Sequence, residues 1–186
     1  MSIATYGRES LAEILDAAST RTHFELSRAT WGFGGVHGGL ALAMLTRAMR
    51  TKASGQALRR VTGHFRRSLR GEFEIDVRED HAGNSVRWLS ARAHQNDSTC
   101  VLASAVFATP GDTRPRRVAA EMPHAPPPSS CPLFTVPSEL VAFAWRSEIR
   151  PVGIARPYGR GDHPELLAWL RAPRMRRRRT KSEPYC

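Results

Sequence analysis

The chain has 186 residues, 41% apolar and 24% charged, enough for one ordinary soluble domain and part of another. Its net charge of +11 sits mostly at the end, where residues 171–186 carry six Arg and one Lys against one Glu and leave the domain only mildly basic. Arg8, Glu9, Glu13 and Asp16 break any apolar secretory leader, the longest apolar run (Leu40 to Leu45) is too short for a bilayer, and the scattered Cys100, Cys131 and Cys186 form neither a disulfide framework nor a metal knuckle, so a reducing cytoplasm is expected.

Leu11, Ile14, Leu15 and Ala18 recur at helical spacing and predict a short amphipathic helix. His23 to Arg28 alternates, with Phe24 and Leu26 on one face, and reads as a strand. Trp31-Gly32-Phe33-Gly34-Gly35 is a glycine-rich loop. From Val36 to about Arg50 runs the strongest helix signal, apolar nearly all round in its first turns, which predicts burial on most sides.

After Ser54-Gly55 the period changes to two. A strand is expected around Val61 to Leu69, and Phe73, Ile75 and Val77 alternate with charged neighbours as a strand with one wet face does. Turns are expected at Asp80 to Asn84 and at Asn96-Asp97. Between them Val86 and Trp88 share one parity while Leu89, Ala91 and Ala93 share the other, and a bulge near Trp88 would reconcile the phases. Thr99 to Phe107 closes the series as an apolar strand. The order predicts an α+β domain in which one antiparallel sheet wraps a long central helix.

The expected organisation is a domain over 1–108, a Pro-rich linker over 109–132, a partial second unit over 133–170 and a basic disordered tail over 171–186. In the partial unit, strands are expected around Trp145–Pro151 and Leu166–Leu170.

The run GGVHGGLALAMLTRAM (Gly34 to Met49) resembles the helix-opening motif of the acyl-CoA thioesterase II-like family. The likeness continues from Leu58 to Ala108, through a Gly83-Asn84-Ser85 turn that opens a strand ending near Gln95-Asn96, and covers roughly residues 10–108. It implies a hot-dog fold and an acyl-CoA substrate. Members of that family usually hold two hot-dog units in one chain, and Arg146 to Ala172 looks like the start of the second. In the family the Asp, Thr and Gln that hold the lytic water come from this second unit, and no position here matches them. The chain is therefore expected to carry one complete hot-dog and a truncated second. An abrupt change to Arg-rich sequence is also what a reading-frame shift in a GC-rich gene would produce.

Thioester hydrolysis needs a polarised carbonyl, which unpaired N–H groups at a helix N-terminus can supply, and glycine lets a ligand approach them. Val36, His37, Gly38 and Gly39 are the candidate substrate-binding residues on that ground, against the alternative that the glycines simply allow tight packing on Trp31 and the sheet. His37 is the candidate catalytic group because an imidazole titrates near neutral pH. A His that orients the loop or faces an interface is the reading we favour, since no carboxylate is paired with it. Trp31 and Trp88 read as core anchors, His64 as a solvent-side or interface residue, and Asp162-His163 as a turn rather than a metal pair. No metal or cofactor is implied. The expected partners are an acyl-CoA substrate and a second copy of the chain, joined by sheet pairing, with no membrane. A binding hot-dog without turnover is the nearest alternative, and nucleic-acid binding through the Arg-rich tail ranks third.

Overall fold

The structure, a computed structural model, describes residues 10–111, 121–137, 139–153 and 165–171. The expected tail, apart from Arg171, and Asp162-His163 lie outside the described residues.

Helix α1 spans Leu11–Ala17 and starts in a reciprocal cap, in which the Ser10 hydroxyl accepts from the Glu13 amide and the Glu13 carboxylate accepts from the Ser10 amide. Strand β1 covers only His23–Glu25, because a 3-10 turn at Arg28–Thr30 takes over where alternation had suggested more strand. Helix α2 spans Gly38–Arg50, two residues shorter at its start than the apolar pattern suggests. The reason is local: Val36 N–H donates to the Leu69 carbonyl and His37 N–H to the Thr30 carbonyl, which commits both residues to extended backbone.

Four strands follow: β2 (Ala57–Phe65), β3 (Glu72–Ala82), β4 (Val86–Gln95) and β5 (Ser98–Ala108). All pairings are antiparallel, in the order β1-β3-β4-β5-β2. Strand β3 runs past the expected turn to Ala82, and β4 and β5 are joined through Asn96 and Asp97, both at positive φ (45° and 60°), as a two-residue hairpin requires. The sheet's inner face presents Phe73, Ile75, Leu89, Ala91, Ala93, Val101, Ala103, Ala105 and Phe107 to Leu40, Ala41, Met44, Leu45, Ala48 and Met49 of α2. The small residues on β4 and β5 let the helix sit close, and α2 touches β2, β3, β4 and β5. This is an α+β hot-dog fold.

Two local expectations need correction. The irregularity expected near Trp88 lies in the partner strand, between Glu79 and His81, so β4 keeps its phase. Trp88 therefore falls on the outer face and is 55% exposed, edge-on to His81, rather than a core anchor. Strand β2 stops at Phe65, well short of Leu69, because the amides of Arg66 and Arg67 both turn to the Cys100 carbonyl (2.8 and 3.1 Å).

Beyond the hot-dog, β6 (Glu148–Pro151) pairs antiparallel with β7 (Ala168–Arg171), each beginning a little later than the sequence suggests. Trp169 Nε1–H donates to the Pro126 carbonyl (2.9 Å) and Arg150 to the Cys131 carbonyl (2.8 Å). Among the described residues, no helix is long and apolar enough to cross a membrane.

Candidate functional site at the start of the central helix

The loop before α2 is held by backbone bonds and by glycine. Trp31 and Val36 form an isolated antiparallel bridge, and Gly32 N–H donates to the Gly35 carbonyl (2.8 Å). Gly34 has φ +89°, a conformation that side chains other than glycine resist. A Cβ on Gly35 would lie 2.7 Å from the Leu69 carbonyl oxygen, so only glycine lets this loop lie against the Ser68–Leu69 backbone. Arg70 Nε–H fixes the Gly34 carbonyl (2.5 Å). Gln95 in turn fixes Arg70: its side-chain oxygen accepts from the Arg70 amide (2.8 Å) while its NH2 donates to the carbonyls of Arg70 and Glu72.

His37 occupies the N-cap of α2 and makes no side-chain capping bond. The first-turn N–H groups, beginning at Gly38 and Gly39, are thus left without intrahelical partners at the positive end of the helix dipole. A Cβ on Gly38 would meet the Phe65 ring at 3.2 Å, and one on Gly39 would meet the His37 ring at 3.2 Å. The glycines therefore serve packing and keep the amides reachable together. Val36 is 9% exposed, its side chain belonging to the core.

The His37 ring is stacked face to face on Phe143, with centroids 4.1 Å apart and planes 6° from parallel. Phe143 belongs to a 3-10 turn (Ala142–Arg146) tied down by a Phe143 N–H bond to the Trp31 carbonyl (2.8 Å) and an Arg146 bond to the Ala29 carbonyl (3.3 Å). Nδ1 of His37 is buried without a hydrogen-bond partner. Burial alone pushes the imidazole pKa below its ordinary value, favouring the neutral ring.

Two adjoining hollows flank the helix start and share Val36, Gly38 and Ser68 as their dividing wall. One, of about 380 Å³, is a groove lined by Ala41, Phe65, Leu69 and Val101 together with Arg66 and Arg67. The other, of about 240 Å³, is bounded by Phe33, His37 and Val141. A larger hollow of about 830 Å³ lies elsewhere, over the outer sheet face. There Glu74 pairs with His23 (2.6 Å) and His94 (3.4 Å), and His94 also reaches Asp76 (3.5 Å). Its carboxylates, which include Glu25, Glu72 and Asp97, suit no anionic ligand. Among the described residues, no group of three or more His, Cys, Asp or Glu side chains is placed to hold a metal ion.

Of the consecutive candidates, Val36 and Gly38 line both hollows and His37 the smaller one, whereas Gly39 lines neither. His64 lies apart on the exposed outer side of β2. Sequence reasoning missed Phe143, Arg66, Arg67, Arg70 and Gln95. Phe143 joins the site across the Pro-rich stretch, where no local pattern signals contact. The two arginines follow a strand expected to continue, so their position at a groove was hidden.

Residues 27–108 match the family model described as Acyl-CoA thioesterase N-terminal domain. The hot-dog unit is similar to that domain over this stretch. The thioesterase-domain match ends at the last residue of β5 and begins just before the loop that leads into α2. Among solved structures, a hot-dog protein of unknown function from Alicyclobacillus acidocaldarius superposes with a TM-score of 0.71 at 18% identity, over 85% of this chain and 62% of that one. The acyl-CoA thioesterase II of Mycobacterium marinum gives a TM-score of 0.61 at 23% identity, over 88% and 60%. The tesB protein of Mycobacterium avium subs. paratuberculosis gives 0.57 at 22%, over 83% and 64%. At these identities the likeness establishes the fold, and the chain spans about three fifths of each of these proteins. Among curated proteins, none matches the sequence.

Proposed function

We propose that this protein is an acyl-CoA thioester hydrolase whose substrate carbonyl is received at the start of α2. The observation that carries the reading is the uncapped first turn of α2, with Gly38 on the wall of a groove, within the stretch that matches a thioesterase domain. In the step envisaged, water oxygen bonds to the thioester carbon and the carbonyl oxygen, gaining charge, accepts hydrogen bonds from the first-turn amides. The C–S bond then breaks, and the thiolate of CoA takes up the proton released by the water. Val36 and His37 shape the site, and burial lowers the pKa of His37 so that its ring is favoured neutral at the helix start.

We take the active form to be a homodimer. Strand β2 is an edge of the sheet, and a second copy could extend the sheet along its unpaired side. We also read 133–170 as the opening of a second hot-dog unit following a 109–132 linker, supported by the β6–β7 pair. The free, buried thiols of Cys100 and Cys131 fit the cytoplasm.

A second reading, binding without turnover, has an observation of its own: Phe143 covers His37 and no carboxylate orients the ring. Hydrolysis of an acyl-CoA panel, followed by release of free CoA thiol and run beside a measurement of molecular mass, separates the two. Turnover in a dimeric species is expected. Thermal stabilisation by acyl-CoA with no thiol released would favour the binder, and a monomer that neither turns over nor is stabilised by any acyl-CoA defeats both.

A further inference from the structure

The groove beside α2 is lined in part by two consecutive arginines. Arg66 and Arg67 are consecutive, exposed, and anchored through their backbone to the Cys100 carbonyl, so their positions are set by β5 although their side chains are free to reach outward. Among the described residues neither guanidinium has an ion-pair partner. Other arginines do: Arg47 pairs with Asp16, Arg78 with Asp80, Arg87 with Glu79, and both Arg150 and Arg171 with Glu148. The same groove is lined by Ala41, Phe65, Leu69 and Val101 and by Gly38 at the start of α2. Phe65, the last residue of β2, is 55% exposed beside this groove. A groove lined by several apolar side chains and by two adjacent guanidiniums without ion-pair partners matches a molecule with an apolar chain and a polyanionic head. The planar fork of arginine binds phosphate oxygens in pairs, which a lone ammonium cannot do.

We propose that Arg66 and Arg67 hold the phosphates of the CoA moiety and so select CoA-linked thioesters over phosphate-free ones. This rests on the reading of the helix start as an acyl thioester site, and it adds where the head group lies and what recognises it. The contact is exposed, so it should weaken steeply with added salt.

The test titrates full-length protein with one acyl group carried either on CoA or on pantetheine, which lacks phosphate. Wild type should bind acyl-CoA more tightly than acyl-pantetheine. The double variant R66Q/R67Q should lose roughly tenfold or more of its acyl-CoA affinity while binding acyl-pantetheine as before. Its ligand-free melting temperature should not move, since both side chains are exposed, and R66K/R67K, which keeps charge but not the fork, should fall between. Equal affinity of wild type for the two ligands, or equal weakening of both in the variant, overturns the arginine assignment and leaves the acyl site standing. Absence of binding of either ligand to wild type overturns the acyl site and the assignment with it.

Discussion

At the residue scale, His37 is the group whose environment departs most from what its sequence position suggests. It stands in a Gly-Gly-Val-His-Gly-Gly run that looks open, yet Phe143 lies flat against it and Nδ1 is buried without a partner. Its pKa is lowered by burial, so the native imidazole resists protonation. In the unfolded chain the same group protonates near its ordinary value of about 6.5. Below that pH the unfolded state binds a proton that the native state refuses, so this site's contribution to stability is complete above about pH 6.5 and lost as pH falls towards the depressed native pKa. Denaturant melts at pH 7.5 and 5.5 should therefore show a loss of stability on acidification that is smaller in His37→Gln. In Phe143→Ala the imidazole should titrate closer to its ordinary value, a shift that proton NMR of the ring would report. An unchanged titration would mean that burial by other residues sets it. Gly35 makes a sharper steric case. Gly35→Ala drives a methyl group to 2.7 Å from a backbone carbonyl that has little freedom to retreat, and should cost about 1–3 kcal/mol by chemical denaturation.

At the scale of elements, α2 and the sheet form one packing unit. Met44, Leu45 and Met49 are 0% exposed, and the alanines opposite them on β4 and β5 set how near the helix can lie. Met44→Ala should cost about 2–5 kcal/mol, because the rigid strands around it cannot collapse into the space left. A loss below 1 kcal/mol in an unfolding titration would mean that the helix is less enclosed than its burial indicates. The segment from Arg66 to Arg70 matters for a different reason. It bonds to Cys100 on one side, to Val36 and Gly34 on another, and to Gln95 at the end of β4. The helix start is thereby positioned by the sheet through a short irregular segment rather than by α2 itself.

At the scale of the whole molecule, most of the hot-dog was legible in the amino-acid order. A helix whose first turns are apolar on nearly every side has to be surrounded, and four period-two segments joined by short turns can surround it only as an antiparallel sheet. The Gly-rich loop and the paired glycines marked the place where backbone comes close to other atoms, and the structure puts Val36 and Gly38 on the walls of both hollows there. What could not be read were contacts between residues far apart in sequence. Trp88 looked like a core anchor by its chemistry, but strand phase, fixed by pairing with β3 and β5, turned it outwards. Phe143 had no reason in its own neighbourhood to meet His37, and Arg66 and Arg67 lay inside a strand expected to run to Leu69 until the Cys100 carbonyl ended that strand early. Local order thus determined which segments are helix and strand and which residues are apolar enough to be core. The tertiary structure alone decided which face each strand shows, what covers the imidazole and which groove Arg66 and Arg67 line, because each depends on pairing register and on contacts that no local period encodes.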